Sequence, residues 1–184
     1  MAPVEPATVR LAKPADADTL GAISGRAWRA VYPGIVPDAV LDEWVEGATE
    51  GWRQAFVDRP PESGWRPWVA ERDGAVIGFA TTTPAKADWL PPPDGAGELT
   101  NLYLDPDAIG SGVGSALFDH ATDDLRAREF NPFVVWAFRD NERAIRFYER
   151  KGGVIDVPTH DWVLGGVPCP IVRLRIDWPV TETG

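Results

Sequence analysis

The chain has 184 residues and a formal net charge of −10 at pH 7, with 44% hydrophobic and 25% charged residues. This length suits one well-buried domain over 1–184, and the composition is that of a soluble globular protein, which excludes a disordered chain. The acidic balance disfavours nucleic acid and anionic membranes as partners, because both are bound through a basic face, and no apolar stretch approaches the length of a bilayer helix.

The first part of the chain predicts one strand followed by two helices. Residues 8–13 alternate weakly between polar and apolar side chains, which is typical of a short strand. Residues 14–32 begin with proline and acidic residues and then repeat apolar side chains at helical spacing, which predicts an amphipathic helix. A second helix begins at Pro37 or Asp38 and continues through 39–57, where apolar side chains again fall on one face.

Glycines interrupt the second helix and mark a hairpin after it. Gly47 and Gly51 lie inside the helical pattern, where each lowers helix stability by about 1 kcal/mol relative to alanine. The Asp73-Gly74 pair separates two β-rich runs within 66–84. Such a pair is a strong signal for a tight hairpin, so two adjacent antiparallel strands are expected here.

A proline-rich segment separates this hairpin from the next strand. Residues 85–97 place Trp89 among prolines and glycines and predict a long loop, and loops of such length in a compact domain are often functional. Residues 98–106 predict a strand. The run "IGSGVGS" at 109–115 follows it, and apolar side chains then recur at helical spacing from Val113, which predicts a third helix, again amphipathic.

The remaining elements complete the order of strands and helices. Residues 132–138 are almost entirely apolar, as in a strand buried on both faces. Asp140 or Asn141 caps a helix that runs through Arg150 and stops at two glycines. The runs "VIDV", "DWVLGG" and "CPIVRLRIDW" close the chain as further short strands. This order implies a mixed sheet with helices on its faces.

The glycine-rich run at 109–115 joins a strand to a helix N-terminus. Alternate glycines let a backbone approach a ligand closely, and main-chain N–H groups at a helix start bind anions. A Walker A loop is excluded because no lysine follows the glycines, and a dinucleotide fingerprint fits poorly because its third glycine would fall on Ser115. A phosphate held by backbone groups and a plain glycine turn without a ligand are both consistent with this run.

Two motifs at the right separation carry a resemblance to a known family. The run from "ELTNLYLDP" through "GSGVGSAL", followed by "DNERAIRFYERKGG", resembles the GNAT superfamily of acetyl-CoA-dependent N-acetyltransferases. The nucleotide loop of that family follows R/Q-x-x-G-x-G/A, which this chain matches at Gly112 and Gly114 but not at Ile109. The later helix of the family carries N-x-x-A-x-x-F-Y, and residues 141–148 fit every position.

The resemblance implies a fold, an activity and a coenzyme. The fold is α/β (α+β mixed), with a mostly antiparallel mixed sheet of about seven strands flanked by about four helices. The activity is transfer of acetyl from acetyl-CoA, as co-substrate, to a primary amine by direct attack in a ternary complex. The residues implied as the coenzyme site are Leu102, Tyr103, Leu104, Ile109, Gly110, Ser111, Gly112, Val113, Gly114, Ser115 and Asn141.

Glu98 and Tyr148 are the candidate catalytic residues. Direct attack needs a neutral amine, whereas alkylammonium groups titrate near the lysine value of about 10.4, so a base or a water chain to one must take a proton. By the resemblance, Glu98 stands where many members of the family carry a catalytic glutamate; the alternative is a solvated carboxylate at the end of a loop. Tyr148 matches the family tyrosine that donates to the departing thiolate, and its alternative is a core aromatic residue beside Phe147.

Other reactive side chains are weaker candidates. Cys169 lies between two prolines without an adjacent histidine, so a covalent cysteine mechanism is not favoured, and a single cysteine forms no internal disulfide. His120 falls on the polar part of its helix, and His160 lies in a predicted late loop that could reach the acceptor. Two histidines and one cysteine offer no metal-ligand spacing, so no metal is expected.

Aromatic residues are the candidates for the acceptor site. By the resemblance, the first two helices and their connection form the variable wall of the substrate cleft, which assigns Trp28 and Tyr32 to it, and the loop with Trp89 is a further wall. Aromatic and acidic side chains together suit a cation with an apolar body. The expected partner is a small-molecule or peptide amine, with neither nucleic acid nor a membrane, and the protein is expected to be a monomer or a homodimer.

Two alternatives accompany this hypothesis. Ile109, in place of a basic or amide residue, motivates a non-catalytic acyl-CoA-binding or sensor module. Acetylation of a protein N-terminus, of the ribosomal-protein type, is also compatible with the acidic chain, because its contacts would be to a protein. The N-terminal "MAPVEPATVR" has neither the basic nor the apolar region of a secretory signal, so a cytoplasmic protein is expected.

Overall fold

The computed structural model describes residues 6–86 and 90–178. Within them, strands and helices follow the predicted order. The strands are β1 (Thr8–Leu11), β2 (Arg66–Arg72), β3 (Ala75–Pro84), β4 (Gly97–Leu104), β5 (Phe133–Phe138), β6 (Val154–Leu164) and β7 (Val167–Ile176). The α-helices are α1 (Ala17–Val31), α2 (Asp38–Asp58), α3 (Val113–Ala127) and α4 (Glu142–Arg150). No helix in the described part of the chain is long and apolar enough to cross a bilayer.

All seven described strands join one sheet, in the order β1-β2-β3-β4-β5-β7-β6. Neighbouring strands are antiparallel except β4 and β5, which are parallel. The predicted mostly antiparallel mixed sheet with about four helices is therefore confirmed. The Asp73-Gly74 hairpin is confirmed as well, since both residues have positive φ in the turn that joins β2 to β3.

Helices cover both faces of the sheet. Leu117 of α3 and Tyr148 of α4 pack into the core on one face. Trp28 of α1 and Trp52 of α2 pack on the other face. Because both faces are covered, β5 is almost entirely buried, which explains its continuous apolar run.

Two glycines of α1 let the first two helices approach closely. A Cβ at Gly21 would lie 2.7 Å from Thr49 Oγ1, and a Cβ at Gly25 would lie 3.2 Å from Val45 Cγ1. A larger residue at Gly21 would therefore push α1 and α2 apart. This packing holds α2 in a fixed position over the sheet.

The C-terminal strands differ from the prediction. The sequence predicts separate strands in "VIDV" and "DWVLGG" with His160 in a loop, whereas β6 is continuous through both and His160 pairs with Ile171. The register of β6 against β7 shifts twice, once between Ile155 and Val157 and once between Val157 and His160. These irregularities accommodate Pro158, which an edge strand tolerates because one of its sides has no ladder partner.

Candidate active site

The sheet opens at its centre, between β4 and β5. These strands pair at only three positions, the last of which joins Leu99 to Val135. Beyond that point each strand continues with its outer neighbour alone, β4 with β3 as far as Leu104 and β5 with β7 as far as Phe138. The carboxyl ends of two parallel strands therefore splay apart, which is where open sheets of this kind bind ligands.

A cavity of about 350 Å³ occupies this opening, and we name it the central cavity. Its volume lies within the range of small-molecule sites. Eleven of the sequence-predicted site residues line it: Tyr32, Leu102, Tyr103, Leu104, Ile109, Gly110, Gly112, Gly114, Ser115, Asn141 and Tyr148. The cavity is thus built by β4, the glycine-rich run, the start of α3 and one face of α4.

Two predicted coenzyme residues, Ser111 and Val113, do not line the central cavity. The Ser111 hydroxyl donates to the Ala108 carbonyl at 2.6 Å, within its own loop. The Val113 side chain is buried in the core between α3 and the sheet. A contact between either residue and a ligand in the cavity would have to be made by main-chain atoms.

The glycine-rich run leaves main-chain donors free at the start of α3. Gly110 and Gly112 have φ values of +85° and +86°, a conformation that glycine adopts without strain. Ala116 donates to the Gly112 carbonyl, whereas residues 112–115 donate to no main-chain acceptor in the described chain. A Cβ at Gly110 or Gly112 would meet nothing within 4 Å, so the loop borders open space. A helix start of this kind binds anionic groups.

Positive charge reaches the central cavity from α4 and not from the loop. Ile109 lines the cavity without a charge, while the exposed side chains of Arg143 and Arg150 line it from α4. None of the ion pairs among the described residues involves these two arginines. They were not identified from the sequence, although their spacing with Phe147 along α4 places them on the face that carries the motif.

Tyr148 is both a core residue and a wall of the central cavity. It is 7% exposed, and its ring contacts those of Phe118 and Phe147. Burial and the neighbouring Tyr103 raise the pKa of its hydroxyl, which therefore stays protonated at neutral pH. The sequence suggested either a proton donor or a core aromatic residue at this position. The two roles are compatible, because a buried ring can still present its hydroxyl to a cavity.

A cluster of hydrogen-bonded side chains lies where the central cavity meets α1. Trp28 Nε1 donates to the Tyr103 hydroxyl at 3.0 Å, and this hydroxyl is hydrogen-bonded to that of Tyr32. The Asn141 amide donates to Tyr32, while its oxygen accepts from the Ala144 N–H at 3.2 Å and caps α4. Both ends of the Asn141 amide therefore have partners in the protein.

Glu98 lies on β4 outside the central cavity. Thr83 of β3 opposes Glu98 and Thr81 opposes Asn101, so Thr100 is the extra residue of a β-bulge. Because Thr81 and Thr83 are two residues apart on their strand, Glu98 and Asn101 face the same side of the sheet. That side is the one covered by α1 and α2.

The surroundings of Glu98 favour its neutral form. Burial raises the pKa of Glu98 to about 7, against the opposing effects of a hydrogen bond from the Lys86 main chain and the charge of Arg173. Arg173 is itself tied to Asp156 by hydrogen bonds of 2.9 and 2.8 Å, and it donates to the Pro91 carbonyl. A carboxyl group that titrates near neutral pH suits a general base.

A second cavity of about 580 Å³ lies on the side of the sheet covered by α1 and α2, and we name it the α2 groove. One face of α2 forms most of its length, and α1, β4 and the β6–β7 turn close it. Asn101 and Tyr103 line both this groove and the central cavity. The middle of β4 is therefore a wall that the two cavities share.

The residues predicted to bind the acceptor are divided between the α2 groove and the central cavity. Trp28 lines the α2 groove and Tyr32 lines the central cavity, while Trp89 lies outside the described residues. His160 lies beside Trp136, which lines the central cavity. Cys169 is buried, lines neither cavity, and has a pKa raised by burial, so its thiol is not an activated nucleophile.

Known proteins share the sequence pattern and the fold of this chain. Residues 35–153, more than half of the chain, match the model of the Acetyltransferase (GNAT) family. The chain belongs to this family. It is accordingly an acyltransferase, as its two motifs predict, and acetyl-CoA is the co-substrate typical of GNAT enzymes.

Individual relatives extend this similarity over the chain. The "Probable N-acetyltransferase Rv2775" of Mycobacterium tuberculosis is 29% identical over 170 residues, which cover 91% of this chain and 92% of that protein. A mycothiol acetyltransferase of Frankia alni is 33% identical over 115 residues, but the match covers 51% of this chain and only 34% of that protein. The crystal structure of the PaiA N-acetyltransferase from Thermoplasma acidophilum with coenzyme A has the same fold, with a TM-score of 0.75 at 18% identity, and the match covers 95% of this chain and 100% of that one.

Proposed function

We propose that this GNAT protein transfers the acetyl group of acetyl-CoA to a primary amine of a small molecule or peptide, by direct attack in a ternary complex. One observation carries the proposal: Asn101 and Tyr103 wall both cavities. A coenzyme in the central cavity and an amine in the α2 groove would therefore meet at the middle of β4. No covalent acetyl-enzyme is needed, because both substrates reach the same place together.

The central cavity suits the parts of the coenzyme in order. The pyrophosphate would bind the free N–H groups of residues 112–115, and the pantetheine arm would lie between the splayed strands, whose facing main-chain groups lack ladder partners there. Arg143 and Arg150 would add positive charge that the loop does not supply. The thioester would then lie beside Tyr148.

In the reaction the ammonium loses two protons and gains an acetyl group, and the coenzyme thiolate gains one proton. Glu98, directly or through water, takes a proton from the ammonium, and the neutral amine attacks the thioester carbonyl carbon while a main-chain N–H of β4 polarises the oxygen. The C–N bond forms, the C–S bond breaks, and the leaving thiolate takes the proton of the Tyr148 hydroxyl. The remaining amine proton and the proton held by Glu98 pass to solvent, from which Tyr148 is reprotonated.

An assay of the purified protein tests this function. Acetyl-CoA is incubated with a panel of primary amines, and free thiol release and the acetylated amine are measured together. We expect amine-dependent release with one acetylated amine formed per thiol. Calorimetric binding of acetyl-CoA without turnover on any amine would contradict the proposal and favour the non-catalytic coenzyme-binding module.

The substitution Ile109→Arg measures how much the main chain contributes to coenzyme binding. We expect acetyl-CoA to bind about tenfold more tightly, because one added charge-assisted hydrogen bond contributes about 1.5 kcal/mol. Titration calorimetry checks this, with Ile109→Met as the uncharged control. A gain of several orders of magnitude would mean that the glycine-rich run of the natural chain is not a working phosphate site.

The paired substitution Arg143→Ala with Arg150→Ala tests the contribution of α4. We expect the KM for acetyl-CoA to rise about tenfold at low salt with kcat nearly unchanged, since uniform binding is lost, and the salt dependence of KM to weaken. Arg146→Ala is the matched control, because Arg146 is on the same helix, pairs with Glu142 and does not line the cavity. Equal KM values for the control and the paired variant would contradict the assignment.

A further inference from the structure

The α2 groove has a length and a lining that indicate what it holds. Its α2 residues recur on one face of the helix from Val40 to Ala55, a stripe about 22 Å long at 1.5 Å per residue. The groove is continuous with the reaction site at one wall, where Asn101 and Tyr103 are shared with the central cavity. An occupant of this groove would therefore be elongated, with one part at β4 and the rest along α2.

Two polar atoms of the groove have no partner in the described protein. Ser24 is 3% exposed, and its hydroxyl makes no hydrogen bond among the described residues. The Asn101 amide donates to Thr81 Oγ1 at 2.7 Å, but its oxygen accepts no bond within the same residues. A buried hydroxyl and a free amide oxygen in one groove suit a ligand that donates hydrogen bonds, as an amine or ammonium does.

The floor of the groove contains two glycines that packing does not require. Gly47 and Gly51 lie inside the 21-residue helix α2, where glycine is destabilising relative to alanine. A Cβ at either position would meet nothing within 4 Å, in contrast to Gly21 of α1, and neither has a positive φ. Both line the α2 groove, so their effect is to leave its floor free of side chains.

The walls of the groove are aromatic, and its lining carries one acidic and one basic side chain, Glu43 and Arg59. Trp44 is 40% exposed and stacks on Trp28 with ring centroids 4.4 Å apart. Glu43 lines the groove without an ion pair among the described residues, on a helix rich in acidic side chains. Arg59, at the far end, lies over the Trp65 ring. Indole faces favour a flat apolar group.

We infer that Gly47 and Gly51 form a shelf in the α2 groove for the body of the acceptor, so the acceptor class is a primary amine on a flat, apolar or aromatic body. The inference rests on the proposed function and adds to it a substrate class and two residues that determine specificity. The amine lies at Ser24 and Asn101, and the body lies along α2.

Gly47→Ala and Gly51→Ala test the shelf, with 2-phenylethylamine as the probe. Alanine is the better helix former, so each variant should melt at a higher temperature than the natural chain. Each should nevertheless bind 2-phenylethylamine about tenfold more weakly in titrations of the protein saturated with coenzyme A, because a methyl group intrudes on the bound ring. Glu46→Ala is the matched control: it also improves helix propensity, but residue 46 does not line the groove, and its affinity should stay unchanged.

A comparison of amines completes the test. Ethylamine lacks the body, so it should bind at least about tenfold more weakly than 2-phenylethylamine. No binding of 2-phenylethylamine, equal affinity in the glycine variants and the control, or equal affinity for ethylamine would overturn the inference. Thiol release in the same samples tests the proposed function separately. If the amines bind with the expected pattern but no acetyl group is transferred, the inference about the groove is supported and the proposed transferase activity is contradicted.

Discussion

Replacing Tyr148 by phenylalanine is expected to lower kcat about a hundredfold while leaving the affinity for acetyl-CoA nearly unchanged. The change removes one hydroxyl group and keeps the ring that packs against Phe118 and Phe147. Burial keeps this hydroxyl protonated at neutral pH, so it can donate to the leaving thiolate, and loss of a positioned proton donor typically costs at least about a hundredfold in rate. Initial rates of thiol release at saturating acetyl-CoA measure the effect.

Binding and stability measurements separate this role from a packing role. Titration calorimetry should give the same acetyl-CoA affinity for Tyr148→Phe as for the natural chain, and the melting temperature should change little. Loss of coenzyme binding would show that Tyr148 acts mainly as a structural wall of the central cavity. An unchanged kcat would remove it from the mechanism.

Replacing Glu98 by glutamine is expected to lower kcat/KM for the amine about a hundredfold at pH 8. It should also abolish the inflection near pH 7 in the pH profile of kcat/KM. The pKa of Glu98 is raised to about 7, so its basic form is present only above that pH, and the rate of the natural chain should rise between pH 6 and pH 8. The measurement is a pH profile at saturating acetyl-CoA. Glu98→Asp retains a carboxylate and should retain an inflection, whereas an inflection that persists in Glu98→Gln would assign the base elsewhere.

The same residue predicts a pH dependence of stability. The pKa of Glu98 is about 7 in the folded protein and about 4.3 in an unfolded chain, so between these values the folded state binds the proton more tightly. The free energy of unfolding therefore decreases as the pH rises through this window. Glu98→Gln should have a higher melting temperature than the natural chain at pH 8 and the same melting temperature at pH 4. A melting temperature of Glu98→Gln below that of the natural chain at pH 8 would contradict the burial of the carboxylate.

Local signals in the sequence predicted most of the fold. The Asp73-Gly74 turn, the cap at Asn141 and the apolar run of β5 are each decided by neighbouring residues, and the structure confirms them. The end of the chain was predicted less well, because the edge position of β6 tolerates Pro158 and only the pairing with β7 shows it. Pairing between distant strands cannot be read from local periodicity.

The site shows the same division between local and distant information. The motifs identified Tyr148, Asn141 and the glycine-rich run, and these two residues and most of the run line one cavity. The sequence could not show that β4 and β5 separate after three paired positions, or that a bulge at Thr100 places Glu98 on the same side of the sheet as Asn101. Both features depend on register, which is set by tertiary packing.

Gly47 and Gly51 illustrate how residues that destabilise a helix can indicate a functional site. In the sequence they only weaken the prediction of α2, since glycine is unfavourable in a helix. In the structure they lie where no neighbouring atom requires them and where a groove needs room. A destabilising residue without a packing reason is a useful indicator of function, because proteins depart from locally favourable choices mainly at such places.

A crystal structure with bound acetyl-CoA tests the central claim most directly, that the two cavities meet at the thioester. We predict the pyrophosphate within hydrogen-bond distance of the main-chain N–H groups of residues 112–115, and the thioester sulfur beside the Tyr148 hydroxyl. The carbonyl carbon should be open toward the α2 groove past Asn101 and Tyr103. A coenzyme that leaves the glycine-rich run unoccupied, or a thioester that points away from β4 with no path to the α2 groove, would contradict this account.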